Sequence, residues 1–205
     1  MTPDAGQYDS AVAPASELGA LAREAAGCTR CALSDTRTQV VFGVGDSSAD
    51  LLFVGEAPGR DEDLQGEPFV GRSGKLLDRL VAEEMGIDRS QFYIANVVKC
   101  RPPDNRDPKP DEIAACRPWL EAELAVLRPA AVVALGATAA QTLMGPSFRV
   151  LRDRGHPFRT PAGLPLIATV HPSSILRAPP ERHASEFAAF VSDLKVAVRL
   201  LAAPT

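Results

Sequence analysis

The only cysteines of the chain, Cys28, Cys31, Cys100 and Cys116, fall as a C-x-x-C pair, a long gap and two separated singles. Four thiolates is the ligand count of a closed tetrahedral zinc site or of a cubane iron–sulfur cluster. With none left over, the pattern predicts one inorganic centre that staples the N-terminal segment to the middle of the chain. The alternative, four ordinary buried thiols, draws on the common burial of free cysteine but does not account for the C-x-x-C spacing. Spacing alone leaves zinc and iron–sulfur both open. A second group of residues suits acid–base and hydrogen-bonding work: Glu56 within Gly55-Glu56-Ala57-Pro58-Gly59, Asn96, and His171 within His171-Pro172-Ser173-Ser174. A carboxylate, an amide that both donates and accepts, and an imidazole can together read a polar ligand and move a proton.

These residues need elements to bring them together. Four short apolar runs bounded by turn residues, Leu51–Val54, Phe92–Val98, Ala131–Leu135 and Leu166–Val170, suit buried parallel strands. Between them lie helical patterns at about 73–84, 111–126 and 137–144, with a last one from Glu181 to Leu201. Pro118 should kink or restart the second of these. Ser16 can cap an earlier helix that ends at Gly27, immediately before Cys28. Residues 1–15 carry no apolar period and read as a disordered tail, leaving 16–205 as a single domain. Residues 149–160 fit an irregular hairpin. Strands alternating with helices predict an α/β fold, a three-layer α/β/α sandwich around a four-stranded, mostly parallel sheet. In such sheets ligands bind beyond the carboxyl ends of the strands, and Glu56, Asn96 and His171 follow or close three of them.

At 205 residues the chain can bury a core without help from a metal. Apolar residues make up 45% and charged residues 23%, a globular profile with no apolar run near the ~18 residues of a membrane span. No basic, apolar leader opens the sequence, so the expected location is the cytoplasm, where reduced thiols argue against a disulfide framework. The net charge of −4 averages two unlike halves: residues 1–98 carry 8 Lys+Arg against 16 Asp+Glu, and residues 99–205 carry 14 against 10. The positive half can face a polyanion while the acidic half faces solvent.

The stretch from Gly55 through Asp61-Glu62-Asp63 to Gly66-Glu67-Pro68-Phe69-Val70-Gly71 resembles the first motif of the family 4 uracil-DNA glycosylases, the iron–sulfur branch of that superfamily. Asn96-Val97-Val98-Lys99-Cys100-Arg101-Pro102-Pro103, with Asn105-Arg106 and Cys116 beyond it, is similar to the same family, and His171 to Arg177 is similar to the superfamily's second motif. The likeness runs in order from Cys28 to about Arg177. It implies a monofunctional enzyme that removes uracil from DNA in base excision repair, and a structural [4Fe–4S] cluster on Cys28, Cys31, Cys100 and Cys116; a monomer is the expected state. It further implies catalytic roles for Glu56 and His171, and uracil contacts from Ala57, Phe69, Asn96 and Glu62, with Glu62 near the site of thymine exclusion. DNA contacts are implied for Ser173, Ser174 and Arg106, with Ile175, Leu176 and Arg177 as a wedge into the base stack.

The final segment is also similar to relatives that become covalently trapped on the abasic site through a histidine in a basic loop. Here that loop, Arg101 to Pro110, has no histidine, and position 57 is alanine where those relatives have glutamine. The expectation is therefore turnover. An iron–sulfur protein that binds or traps uracil-DNA without turnover is the first alternative, and a zinc-stabilised hydrolase of small nucleotides is a weaker one.

Overall fold

The computed structural model describes residues 12–202. Six strands are present: β1 (Gly43–Gly45), β2 (Leu51–Gly55), β3 (Tyr93–Asn96), β4 (Ala131–Leu135), β5 (Pro157–Arg159) and β6 (Pro165–Thr169). The eight α-helices among the described residues are α1 (Val12–Ala26), α2 (Arg60–Gln65), α3 (Arg72–Met85), α4 (Pro110–Leu127), α5 (Ala137–Met144), α6 (Val150–Asp153), α7 (Pro172–Leu176) and α8 (Pro180–Ala202). None of them is long and apolar enough to cross a membrane.

The strands form one sheet in the order β1-β3-β2-β4-β6-β5. The four expected strands are its parallel centre, while β1 and β5 add antiparallel edges. Six strands therefore replace the expected four. Both added strands are three residues long, and β1 is Gly43-Val44-Gly45 because side chains are excluded there: a Cβ on Gly43 would lie 2.6 Å from Glu123 Oε1, and one on Gly45 2.0 Å from the Phe92 carbonyl. A strand built on glycine has no apolar period to read. Residues 149–160 hold α6 and then β5, which pairs with β6.

Every residue of β2, β3 and β4 is buried, so both faces of the sheet are covered. Helix α1 packs on α4, α3 packs on α8 and α7, and α8 crosses β6 and β4. Fully buried side chains such as Phe53, Ile94, Leu77 and Phe190 each contribute on the order of 1.5–3 kcal/mol of burial. Helix α1 begins at Val12, one turn before the expected Ser16, and the rest of the expected tail lies outside the described residues. Helix α4 runs through Pro118 without restarting. The missing N–H leaves the Ala114 carbonyl without its intrahelical partner, and because Ala114 and Pro118 are both exposed that carbonyl faces solvent.

Two polar features fix the segment after β3. Val97 and Val98 donate to the carbonyls of Gly55 and Glu56, carrying the β2–β3 pairing past the strand ends. Lys99, fully buried, donates to Glu123 Oε2 on α4 and lies 5.2 Å from the centre of the Phe42 ring. Burial pushes the Glu123 carboxyl up, to about 7, against the pull of the Lys99 ammonium. Removing one member leaves the other buried without its partner, which costs far more than the pair itself is worth. Lys99→Met is expected to destabilise the fold by about 3 kcal/mol, and Lys99→Met combined with Glu123→Leu to recover most of that loss. Urea denaturation of both variants measures this, and equal destabilisation by the single and the double change would contradict it.

Candidate active site

The carboxyl ends of β2, β3, β4 and β6 open into a cavity of about 540 Å³ whose wall includes Glu56, Ala57, Phe69, Asn96, Gly136 and His171. The three residues singled out at strand ends therefore meet. Asn96 is the last residue of β3 and pairs in register with Gly55 of β2. It is 1% exposed, and its Oδ1 has no hydrogen-bond partner among the described residues. A buried amide oxygen without a donor costs about 1–3 kcal/mol, which is tolerated where a ligand supplies the missing N–H. Gly55 keeps that place open: a Cβ there would lie 2.4 Å from Asn96 Oδ1 and 2.6 Å from Phe69 Cζ.

Phe69 holds a left-handed backbone conformation, φ 58°. Such a conformation is costly for an aromatic residue and persists only where neighbours enforce it. Three features do so. The Cβ that Gly74 lacks would stand 1.6 Å from the Phe69 carbonyl oxygen, so the start of α3 can press directly on this turn. Arg89 donates to the carbonyl of Pro68 and pairs with Asp78 at 2.9 Å. Glu62 accepts from the N–H groups of Gly59 at 3.0 Å and Gly71 at 2.9 Å. The Glu62 carboxylate thus ties the two glycine turns on either side of Phe69, and its place in the cavity wall follows from that bracing. The Phe69 ring ends 5.5 Å from the His171 ring, the two planes inclined at 32°.

His171 caps the N-terminus of α7. Its Nδ1 accepts from the Ser173 backbone N–H at 3.1 Å and lies 2.9 Å from the Ser173 hydroxyl. A backbone N–H can only donate, so Nδ1 is the unprotonated nitrogen and Nε2 carries the hydrogen. Burial pushes the imidazole pKa down to about 4, with Arg177 adding to the effect. At neutral pH the ring is an uncharged N–H donor. Gly136, at φ +97°, lets the end of β4 lie against it, since a Cβ there would be 3.3 Å from His171 Cβ.

Glu56 follows β2 and receives a hydrogen bond from the Thr138 hydroxyl. Burial raises its pKa above the ordinary carboxylate value; the Thr138 bond opposes that, Asp107 adds to it and Arg177 opposes it. The site thus holds a carboxylate shifted up and an imidazole shifted down, which sets them apart as a base and a neutral donor.

The residues expected on DNA divide differently. Ser173 and Arg177 line the cavity, and Ser174 donates to the His171 carbonyl at 2.8 Å. Ile175 is fully buried in the core and cannot form part of a wedge; α7 turns it inward to seat the helix, leaving half-buried Leu176 and exposed Arg177 at the surface. Arg106 also lines the cavity and makes a two-pronged pair with Glu112, at 2.8 and 2.6 Å, which braces the loop to the start of α4. Thr138 and Gly136 escaped the sequence reading, although the rule that found the other three strand ends applies equally to Gly136-Ala137-Thr138 after β4.

All four cysteines line one small, separate cavity with Arg37, Lys99 and Trp119. Three N–H groups point at their sulfurs: Arg37 Nη1 to Cys100 at 3.3 Å, the Lys99 backbone to Cys116 at 3.2 Å, and Trp119 Nε1 to Cys28 at 3.4 Å. Burial pushes the thiols of Cys100 and Cys116 up, Cys116 to about 11, and a coordinated cation would favour their thiolate forms. Among the described residues, no three Cys, His, Asp or Glu side chains are gathered as a site for a single metal ion. The donor set is sulfur alone, which suits a thiophilic centre.

A family model for the uracil DNA glycosylase superfamily matches residues 42–195. The chain is 44% identical over 179 residues to a type-4 uracil-DNA glycosylase of Archaeoglobus fulgidus, covering 83% of this chain and 89% of that one. It is 48% identical over 151 residues to a type-4 uracil-DNA glycosylase of Thermotoga maritima, covering 73% and 78%. A type-5 uracil-DNA glycosylase of Thermus thermophilus is 37% identical over 153 residues, covering 65% and 68%. The match takes in every strand of the sheet and the whole cavity wall, and with it the chain belongs to the uracil-DNA glycosylase superfamily.

Proposed function

We propose that the chain flips uracil out of DNA, hydrolyses its N-glycosidic bond and releases an abasic site. The observation that carries this reading is the buried Asn96 Oδ1, without a partner among the described residues, in a cavity that also holds a neutral His171 and an upshifted Glu56. Uracil presents N3–H beside an O4 acceptor, which an asparagine amide can meet with one acceptor and one donor. Cytosine presents an unprotonated N3 and an amino donor and would leave both Asn96 groups unpaired, the arrangement in which a polar site rejects most strongly. Phe69 supplies a stacking face worth about 1–3 kcal/mol, enough to offset much of the few kcal/mol that flipping costs. Its backbone is already fixed, so little order is lost on capture.

Cleavage breaks the bond between the sugar C1′ and uracil N1, and the electron pair leaves with the base. His171 Nε2–H donates to the base oxygen where negative charge collects, a contact that strengthens as the bond breaks. A neutral donor suits this step because it holds the leaving anion without surrendering a proton. Glu56 stabilises the sugar cation and takes a proton from the water whose oxygen bonds to C1′.

The same reading places a [4Fe–4S] cluster on Cys28, Cys31, Cys100 and Cys116. Its support is an all-sulfur donor set on one cavity, with N–H donors to three of the four sulfurs. When bound, the cluster would supply a rigid crosslink between the end of α1, the segment after β3 and the middle of α4. Every step at the base belongs to residues outside that cavity.

Glu56→Gln and His171→Ala should each slow single-turnover excision by about 100-fold or more while changing uracil-DNA binding far less. Asn96→Ala should weaken both. A fully active Glu56→Gln enzyme would remove Glu56 from this role. Excision should fall as pH drops through the raised Glu56 pKa, because only the ionised carboxylate acts, and His171→Ala should retain that acid limb. Since His171 stays neutral down to about pH 4, the pH–rate profile should carry no limb near pH 6.5, the unperturbed histidine value, that disappears in His171→Ala. Purified under argon, the protein should absorb near 400 nm and carry about four irons per chain, and Cys100→Ser should lower both iron content and melting temperature. One zinc per chain and a colourless protein would overturn the cluster assignment.

A further inference from the structure

The carboxyl end of β4 contributes Gly136 and Ala137 to the cavity wall, and the next residue, Thr138, sits behind that wall in the first turn of α5. Its hydroxyl crosses to Glu56 Oε2, the one hydrogen bond to this carboxylate among the described residues. We propose that Thr138 is a positioning residue for base excision, holding Glu56 in one orientation through Oε2 so that Oε1 is the oxygen that receives the proton of the attacking water. The proposal rests on the reading of Glu56 as the base.

Several features favour this arrangement. A glutamate side chain turns about three torsions, and an unrestrained carboxylate at the end of β2 would spend much of its time away from the reacting carbon. Threonine is stiff at χ1, so its hydroxyl is a fixed post. Within a helix a threonine hydroxyl commonly bonds to the carbonyl four residues back. Four residues before Thr138 is Ala134, which belongs to β4, so no helical carbonyl competes for the hydroxyl. The donor also selects the charge state, because an O–H given to a carboxylate oxygen favours its ionised form. The other groups facing Glu56 are Asp107 from the loop before α4, which disfavours ionisation, and Arg177 at the end of α7, which favours it. His171, at the end of β6, is neutral and adds no charge.

Thr138→Val keeps the shape and removes the donor; Thr138→Ser keeps the donor. In single-turnover assays on a uracil-containing oligonucleotide, Thr138→Val should lose about tenfold or more in rate, in line with a hydrogen bond to a charged group. Its affinity for the oligonucleotide should stay within about threefold of the parent, far less than one hydrogen bond to a charged group is worth. The acid limb of its pH–rate profile should move to higher pH, because an influence that lowers the Glu56 pKa is gone. Thr138→Ser should restore both the rate and the position of that limb. Added to Glu56→Gln, Thr138→Val should cost less than about twofold more, since the two residues act as a unit.

An unmoved acid limb with near-parental rate in Thr138→Val would overturn the proposal. So would a Thr138→Ser enzyme as slow as Thr138→Val, because packing would then account for the loss. Glu56→Gln in the same assay separates the two levels of failure. If it is slow while Thr138→Val is not, only the positioning role fails; if it is fully active, the role of Glu56 fails and the proposal falls with it.

Discussion

Parallel pairing in register makes this site possible. Gly55 stands opposite Asn96, and β4 and β6 end at nearly the same level, so four chain segments far apart in sequence leave the sheet at one edge. Parallel strands need helical crossovers, and these cover both faces of the sheet, leaving the carboxyl edge as the natural place for a polar crevice. At that edge the fold exchanges side-chain volume for access. Gly55, Gly74 and Gly136 sit where a Cβ would strike Asn96, Phe69 or His171. Each glycine gives up local stability so that a functional side chain can occupy the space.

Electrostatics at the site follows from burial more than from charge pairing. Desolvation is the first cause of both the upward shift of Glu56 and the downward shift of His171. One physical effect thus moves two groups in opposite directions, because it penalises whichever form is charged. The hydrogen bonds then assign roles: Thr138 favours the ionised carboxylate, and the Ser173 backbone fixes the histidine tautomer.

Much of this was legible in the sequence because it is periodic or punctuated. The four central strands were visible as bounded apolar runs, and α5 was placed at its observed limits because Gly136 and Gly145 flank it. The edge strands were not visible, since Gly43 and Gly45 have no side chains to alternate and β5 is only three residues long. At the site, residue type at a strand end sufficed to point to Glu56, Asn96 and His171, which line one cavity. It failed for Ile175, whose direction depends on how α7 seats on the core, and for Thr138, whose partner lies 82 positions away. The pairing of Arg106 was hidden for a similar reason: a cation in a loop looks free until the carboxylate of Glu112, six residues on, is seen beside it.

That last point reaches beyond one arginine. The positive half of the chain looks suited to a polyanion, yet many of its cations are consumed internally. Lys99 is buried on Glu123, Arg106 is held by Glu112, Arg154 by Asp193 and Glu186, and Arg152 by Asp153. Arg177, at the cavity mouth, has no ion-pair partner among the described residues. Net charge therefore overstates how much of this half is left to face a polyanion, and cations that enter no ion pair among the described residues, Arg128, Arg149, Arg159 and Arg182 besides Arg177, are left to do so.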